Sequence, residues 1–295
     1  MSDSSSLPWL RKIPFYGNRL ADRLDGAPIV PVLRLSGVIG GSASIRKGGL
    51  SLADMAGSIE KAFEHSGAVA VALAINSPGG SPVQSSLIAK RIRDLAGEKE
   101  LPVFAFCEDV AASGGYWLAC AADEIHANPS SIVGSIGVVS AGFGFPALLE
   151  KVGIERRVHT AGENKAILDP FAPENPDDVV HLKELQAEIH EQFKTYVRAH
   201  RGERLDDDEV TLFSGAFWTG ERAVSLGLVD GLGDLRAVMR EKFGDKVRLP
   251  VMTKPKGWLQ RRMGMRLSAL SAPADWAPSV MGALDERAHW SRFGL

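Results

Sequence analysis

Short apolar runs alternate with helically spaced apolar positions in the first third of the chain. Residues 28–35, 68–75 and 102–107 form compact apolar runs, which are typical of strands buried in a parallel sheet. Residues 52–65 and 83–95 instead place apolar side chains three or four positions apart, which predicts amphipathic helices. This order is that of βαβ units, so the sequence predicts an α/β fold with a mostly parallel sheet covered by helices.

The middle of the chain continues the pattern less regularly. Short strands are predicted at residues 124–127, 132–139 and 155–159. Residues 176–200 give the strongest helix signal, because one face stays apolar over about six turns. The residues of that face are Leu182, Leu185, Ile189, Phe193 and Tyr196. We expect this helix to pack on the sheet or on a neighbouring subunit.

Composition indicates an ordinary globular chain. With 295 residues, 45% apolar and 24% charged, it has enough material for a large core, which excludes disorder and a disulfide-stapled mini-protein. The net charge of −2 gives no electrostatic reason to expect nucleic acid as a partner. Cys107 and Cys120 lie in apolar surroundings without CxxC spacing, so we expect buried thiols and neither a zinc site nor a disulfide framework. No metal or cofactor is predicted.

The domain boundaries follow from these signals. We predict one domain over residues 28–245, an N-terminal tail of residues 1–27 and a C-terminal tail of residues 246–295. Charged residues and a proline interrupt the apolar residues of the first tail, so neither a signal peptide nor a membrane span is predicted. We therefore expect a cytoplasmic location.

The C-terminal tail carries the one sequence feature that suggests a membrane surface. Residues 254–274 hold five basic residues and no acidic one, together with Trp258 and several other apolar residues. A short interfacial helix on anionic lipid, peripheral at the inner membrane, is one interpretation. A solvated or partner-bound tail is the other.

Two glycine-rich turns follow neighbouring predicted strands. NSPGG at 76–80 ends one strand, and ASGGY at 112–116 places Ser113 where the next strand leads into a helix. Helix N-termini and glycine turns offer backbone N–H groups to developing negative charge. Each turn alone is a weak signal, but together they converge at the carboxyl edge of a parallel sheet, where α/β sites lie. This pattern favours Ser113 as a nucleophile.

A serine nucleophile requires a base, because its hydroxyl is protonated at neutral pH. No histidine stands in a recognisable partner motif, and His181, His190 and His200 fall on the long helix, where packing or surface roles are expected. Lys165, in a turn-like segment after residue 159, is another candidate. On spacing alone such a lysine is usually a solvated charge.

Five motifs in a fixed order carry a resemblance over residues 28–245. The chain resembles the signal peptide peptidase A family, serine peptidases with a Ser/Lys dyad on a Clp protease/crotonase-like fold. The matching segments are NSPGG at 76–80, ASGGY at 112–116, GSIGV at 134–138, GENK at 162–165, and WTG at 218–220 with GLVD at 227–230.

The resemblance implies a role for each matching site residue. Ser113 attacks the peptide carbonyl, Lys165 is general base and then general acid, and the Ser135 hydroxyl orients the lysine amine. The oxyanion donors are the N–H groups of Gly114 and of one residue of the Gly79–Gly80 pair. A lysine has an ordinary pKa of about 10.4, so a lysine base must be desolvated to work at neutral pH. We expect Glu163 and Asp169 to face away from this amine.

The resemblance also implies an assembly. Neighbouring protomers of the family complete each active site, and a chain with one copy of the motifs resembles the short form that makes a ring of identical subunits. The long helix and residues 213–230 are candidates for the contacts between protomers. Family members usually have an N-terminal membrane anchor, and this chain departs from that pattern.

Substrate expectations rest on a groove beside Ser113. Val83, Leu87 and Trp117 are its candidate lining, which favours hydrophobic peptides in extended form, such as signal-peptide remnants. Simple core packing is the alternative for each of these side chains.

Three rival functions stay open at this stage. A crotonase-like acyl-CoA enzyme would share the paired N–H groups but use a carboxylate base. A Clp-type Ser/His/Asp peptidase would use His126 or His159. A non-catalytic scaffold would keep the fold but not require Ser113 and Lys165.

Overall fold

A computed structural model of the chain describes four stretches, residues 26–40, 50–206, 208–252 and 287–294. Nearly all of the predicted N-terminal tail and all of the predicted lipid-contacting stretch, residues 254–274, lie outside the described residues. Among the helices that are described, none is both long and apolar enough to cross a bilayer.

The described residues form an eight-stranded sheet around which the domain is built. Strand order is β6-β5-β3-β2-β1-β8, and β4 pairs with both β3 and β7. Every pairing is parallel except that of β5 with β6, which confirms the predicted α/β architecture. The strands are β1 (Val32–Ser36), β2 (Val71–Ser77), β3 (Val103–Ala112), β4 (Glu124–Ala127), β5 (Ile132–Gly134), β6 (Phe217–Thr219), β7 (Gly231–Leu232) and β8 (Val251–Met252).

Helices cover both faces of this sheet. They are α1 (Leu52–Phe63), α2 (Pro82–Lys99), α3 (Gly114–Ala119), α4 (Pro146–Val152), α5 (Pro176–Arg201), α6 (Glu209–Leu212), α7 (Gly220–Ser225) and α8 (Leu235–Phe243). Two helices begin after a side chain that caps the first turn: Ser81 is the N-cap of α2, and Asn175 is the N-cap of α5. Proline follows each of these caps at the first helical position, where its missing N–H costs no hydrogen bond.

The core is divided by the sheet into two apolar clusters. The larger one joins β1–β3 to the buried faces of α1, α2, α3 and α5. The smaller one lies on the opposite sheet face, where Val238 and Met239 of α8 cover Phe104 and Phe106. The helices therefore bury strand residues that the sequence showed as continuous apolar runs.

Two strand predictions differ from the structure. The strand predicted over 132–139 ends at Gly134, because Ser135 adopts a φ of +53° and turns the chain away from β3. The strand predicted over 155–159 is wrong. All five residues are exposed, they pair with none of the described strands, and Arg157 pairs locally with Glu155.

Residues 139–175, here called the arm, extend from this body. No residue of the arm is buried, and α4 within it has no buried side chain. Phe145 nevertheless stacks on Phe171 with ring centroids 5.5 Å apart, and Arg156 lies over the Phe171 ring at 4.8 Å. The arm thus has local order of its own while leaving much apolar surface exposed.

Candidate active site

Ser113 lies at a sharp turn between β3 and α3. Its φ of 53° and ψ of −123° are unusual for a residue with a side chain, and such strain is a feature of functional sites. The Ser113 N–H donates to the Gly134 carbonyl at 2.8 Å, and its carbonyl accepts from the Trp117 N–H at 3.0 Å. A tight strand-to-helix turn of this kind presents the serine hydroxyl at the carboxyl edge of the sheet.

Ser135 lies beside Ser113 at the same edge. In the parallel pairing of β3 with β5, Ala112 is opposite Gly134, so the next residue of each strand is a serine. Ser135 is buried, also has a φ of +53°, and its N–H donates to the Ala216 carbonyl at 2.7 Å. The structure therefore brings together the two serines that sequence reasoning selected from separate motifs.

The NSPGG turn packs directly against Ser113. Gly79 has a φ of +103°, and a Cβ on it would lie 2.7 Å from the Ser113 Cβ, so this position requires glycine. A Cβ on Gly80 would lie 2.2 Å from the Ile39 carbonyl oxygen. The NSPGG turn and the turn at Ser113 therefore pack closely against each other, with no room for a side chain on Gly79.

Backbone N–H groups at this contact differ in whether they have an acceptor. The Gly79 N–H donates to the Ser77 hydroxyl at 3.2 Å. Ile39 and Gly80 form an isolated β-bridge, in which the Ile39 N–H donates to the Gly79 carbonyl and the Ser81 N–H donates to the Ile39 carbonyl. The Gly80 N–H takes no part in this bridge. Within the described residues, no acceptor is found for the N–H of Gly80 or of Gly114. Gly80 also lines the cleft described next, whereas Gly114 is buried at the start of α3.

A cleft of about 590 Å³ contains both serines. Its walls include residues 38–40 on one side and residues 137–139 on the other. In the described part of the chain, the backbone of 137–140 makes no hydrogen bond, so its N–H and C=O groups can pair with an extended peptide. His190, His289 and Arg292 also line the cleft, and no carboxylate is among its described lining residues.

His190 is a cleft residue that sequence reasoning did not select. Its Nε2 lies 3.1 Å from the Ile136 carbonyl oxygen, so it donates to the residue that follows Ser135. The available signal was its position on α5, three residues before buried Phe193 and so on the same helical face. A histidine on a helix face is usually a packing residue, and only the fold shows that this face ends at the cleft.

Lys165 does not line this cleft in the single chain. It is exposed in the arm, where its backbone N–H donates to the Gly162 carbonyl at 3.3 Å. Asp169 pairs with Arg156 at 2.8 Å. The expected orientation of Glu163 and Asp169 relative to the amine stays a prediction.

The three groove residues are separated by the fold. Trp117 is buried in the core, stacked on Phe193 and Tyr196 at centroid distances of 4.8 and 4.9 Å. Val83 and Leu87 are exposed on α2, outside the described cleft lining. For Trp117 this placement favours the core-packing alternative, and the groove itself stays a prediction.

Other candidate nucleophiles and bases lie elsewhere. His126 is on β4, stacked on Phe106 with its Nε2 3.2 Å from a Glu124 carboxylate oxygen, and His159 is exposed in the arm. Cys107 and Cys120 are buried free thiols, as expected. Burial raises the pKa of each to about 12, so neither is a thiolate nucleophile at neutral pH.

Comparison with known proteins decides the family. The family model described as peptidase family S49 matches residues 96–246, which include Ser113, Ser135 and Lys165. This chain belongs to peptidase family S49. A putative protease of Synechocystis sp. (strain ATCC 27184 / PCC 6803 / Kazusa) is 35% identical over 202 residues, which are 66% of this chain and 72% of that protein.

Two other relatives are considerably longer than the S49 chain. A protein of Brucella abortus (strain 2308) named Na(+)/H(+) antiporter NhaA is 54% identical over 90% of this chain and 37% of its own length. The chloroplastic serine protease SPPA of Arabidopsis thaliana is 32% identical over 83% of this chain and 35% of its own. The chain therefore spans little more than a third of either relative.

A solved structure also aligns with the S49 chain. It is a mutant of the 1510-N membrane-bound stomatin-specific protease, with a TM-score of 0.48 and 15% sequence identity. The alignment covers 77% of this chain and 99% of the other.

Proposed function

We propose that this S49 chain is a serine endopeptidase in which Ser113 is the nucleophile. The observation that carries the proposal is the strained turn that presents Ser113 beside the N–H groups of Gly80 and Gly114, for which the described residues supply no acceptor. In the proposed reaction, the Ser113 Oγ attacks the peptide carbonyl carbon while its proton passes to a lysine amine. The same amine then protonates the leaving nitrogen, and water hydrolyses the acyl-enzyme.

The N–H groups of Gly80 and Gly114 form the proposed oxyanion hole. Gly80 is favoured over Gly79 because the Gly79 N–H already has an acceptor in the Ser77 hydroxyl. Gly114 is the first residue of α3, so its N–H has no partner within the helix. Such donors are worth on the order of 10²- to 10³-fold in rate.

The general base in this proposal is Lys165 of a neighbouring copy of the chain. The arm supports this arrangement, because it extends from the body and exposes large apolar side chains that are unusual on a monomer. These include Val139, Phe143, Leu148, Val152 and Ile154, of which Phe143 is 81% exposed. Contact with a second copy would cover them and exclude water around the amine, which favours its neutral form. Ser135 then orients the amine.

The proposed substrates are hydrophobic peptides bound in extended form. Val38, Ile39, Val138 and Val139 give the cleft apolar walls, and the unpaired backbone of 137–140 offers an edge for a peptide strand. Signal-peptide remnants have this chemistry. The affinity would come from main-chain hydrogen bonds and the selectivity from side-chain pockets.

The rival functions lack the groups they need at this cleft. A crotonase-like acyl-CoA enzyme would use a carboxylate base, and no described lining residue is acidic. A Ser/His/Asp peptidase would use His126 or His159, and neither lines the cleft. The cleft does contain His190 and His289, but no described carboxylate to complete a Ser/His/Asp triad, and Lys165 reaches this cleft only in the arrangement with a neighbouring copy proposed above.

Labelling with a fluorophosphonate tests the proposal directly, since this reagent modifies an activated serine. We expect the parent protein to be labelled and Ser113→Ala to be unlabelled and inactive on an apolar fluorogenic peptide. Ser130→Ala is the matched control, because Ser130 is exposed and lies outside the cleft. Equal labelling of the parent and Ser113→Ala would reject the proposal.

A further inference from the structure

The last described segment of the chain forms part of the active cleft. Residues 287–291 are helical, and the Phe293 ring that follows packs edge-on against Phe217 of β6 with centroids 5.1 Å apart. This contact places His289 and Arg292 in the cleft lining with Ser113. The cleft therefore contains residues more than 170 positions apart in sequence.

The charge of this lining has one sign. His190, His289 and Arg292 line the cleft, and its described residues include no Asp or Glu. Arg292 is exposed, and its guanidinium lies 5.9 Å from the centre of the neighbouring Phe293 ring. None of the described carboxylates forms an ion pair with Arg292. An arginine is charged at every relevant pH, so this position attracts an anionic group.

A carboxylate is the anion that a peptide brings to such a site. Arginine binds carboxylates through two parallel N–H···O contacts. Elsewhere in this chain Arg201 binds Asp230 in this way, with Nη1 and Nη2 donating to the two carboxylate oxygens at 2.8 and 3.0 Å. Arg292 has the same side chain but no such partner in the described residues.

We propose that the active cleft selects peptides carrying a carboxylate near the bond to be cleaved, and that Arg292 is the residue that recognises it. The inference rests on the proposed peptidase function and deepens it by naming a substrate class: apolar, extended and with one acidic group. The carboxylate is either the C-terminus of the peptide or an Asp or Glu side chain.

Binding to full-length Ser113→Ala tests this selection without turnover. The probes are fluorescent apolar peptides in two matched pairs, measured by anisotropy. One pair has a free or an amidated C-terminus and no acidic residue, and the other is amidated and contains a single Glu or Gln. We expect the charged member of at least one pair to bind about 10-fold more tightly than its neutral partner. The pair that shows the difference identifies the source of the carboxylate.

The same peptides are then compared in Arg292→Gln on the Ser113→Ala background. We expect the charged peptide to lose its advantage, while the neutral peptide binds as before. Arg287→Gln is the matched control, because Arg287 is exposed on the same helix and does not line the cleft. It should keep the preference.

Several results would overturn the inference. Equal binding of charged and neutral peptides, no binding of any of them, or an unchanged preference in Arg292→Gln would each reject it. A deletion of residues 287–295 that tightened binding of every peptide alike would show that the segment occupies the cleft instead of selecting its ligand. None of these results affects Ser113 labelling by a fluorophosphonate, so a failure of the proposed function is recognised separately.

Discussion

At the scale of single residues, the site depends on backbone positions that tolerate no added atoms. Gly79 combines a positive φ with contact to Ser113, so a methyl group there must displace either the turn or the nucleophile. Ser113 itself is held by hydrogen bonds to Gly134 and Trp117. The Ser113 turn is therefore held by contacts with Gly79, Gly134 and Trp117.

Gly79→Ala should reduce the rate of peptide hydrolysis by about 100-fold, because a displacement of the reacting atom by about 1 Å has that effect. The measurement is kcat/KM on an apolar fluorogenic peptide, together with the rate of fluorophosphonate labelling. Gly97→Ala is the control: it lies in α2 with no atom within 4 Å of the added Cβ and should leave the rate unchanged. Parent activity in Gly79→Ala would contradict the close fit.

Two substitutions of Ser135 separate the effect of its backbone strain on stability from the effect of its hydroxyl on activity. Its φ of +53° costs a residue with a Cβ about 1 kcal/mol relative to glycine. Ser135→Gly should therefore be more stable than Ser135→Ala by about that amount in urea unfolding. Both variants lose the hydroxyl, so both should lose activity. Retained activity in either variant would remove Ser135 from the mechanism, and equal stability of the two would reject the strain.

At the scale of elements, a buried ion pair joins α5 to the turn before β7. Arg201 is 2% exposed, and its guanidinium donates to both Asp230 carboxylate oxygens at 2.8 and 3.0 Å and to the Gly227 carbonyl. The Ile125 N–H also donates to Asp230 at 2.7 Å. Burial alone would raise the pKa of Asp230, but the contacts from Arg201, the Ile125 N–H and Arg204 together outweigh burial and hold that pKa below its ordinary value.

Asp230→Asn should lower the free energy of unfolding by about 3–5 kcal/mol, because it leaves a buried guanidinium without its counter-charge. The folded-state pKa of Asp230 is lowered, so its contribution is complete above the unfolded-state value of about 3.9 and is lost as pH falls through the folded-state value. The difference between parent and variant should therefore be constant from about pH 7 to 5 and shrink below about pH 4.

Urea unfolding followed by circular dichroism across this pH range is the measurement. Glu155→Gln is the control, since both side chains of the Glu155–Arg157 pair are more than 70% exposed and its loss should leave the free energy of unfolding unchanged. A difference for Asp230→Asn that stays constant down to pH 2 would show that the carboxylate charge is not what stabilises the contact.

Elements with strong local signals were predictable from sequence, and contacts between distant elements were not. The run at 68–75 predicted β2 because eight apolar residues leave few alternatives, and the α5 helix was predicted to within one residue. The adjacency of Ser113 and Ser135 depends on the register of β3 with β5, which no local pattern encodes. The place of Arg292 in the cleft depends on a contact between Phe217 and Phe293.

At the scale of the whole molecule, the candidate site is incomplete in one chain. The described cleft lining holds the proposed nucleophile Ser113 and Gly80 of the proposed oxyanion hole, but Lys165 is in the exposed arm and not in the lining. The sequence motif identified this lysine, and the fold of one chain does not bring it to Ser113. An assembly in which the arm contacts the neighbouring cleft would account for both observations.

Mixing two inactive variants tests that assembly, because a dyad shared between copies can be rebuilt from intact halves. Ser113→Ala and Lys165→Ala should each be inactive alone. After co-refolding in equal amounts, a Ser113 from one variant should meet a Lys165 from the other at about a quarter of the sites, restoring about a quarter of parent activity. The double variant refolded with Lys165→Ala is the control, since no copy in that mixture carries Lys165 and it should stay inactive. Light scattering must show that the mixture forms the same oligomer as the parent.

A mixture of that size without activity would place the lysine in the same chain as its serine or exclude it from the mechanism. A monomeric parent with full activity would reject the shared site.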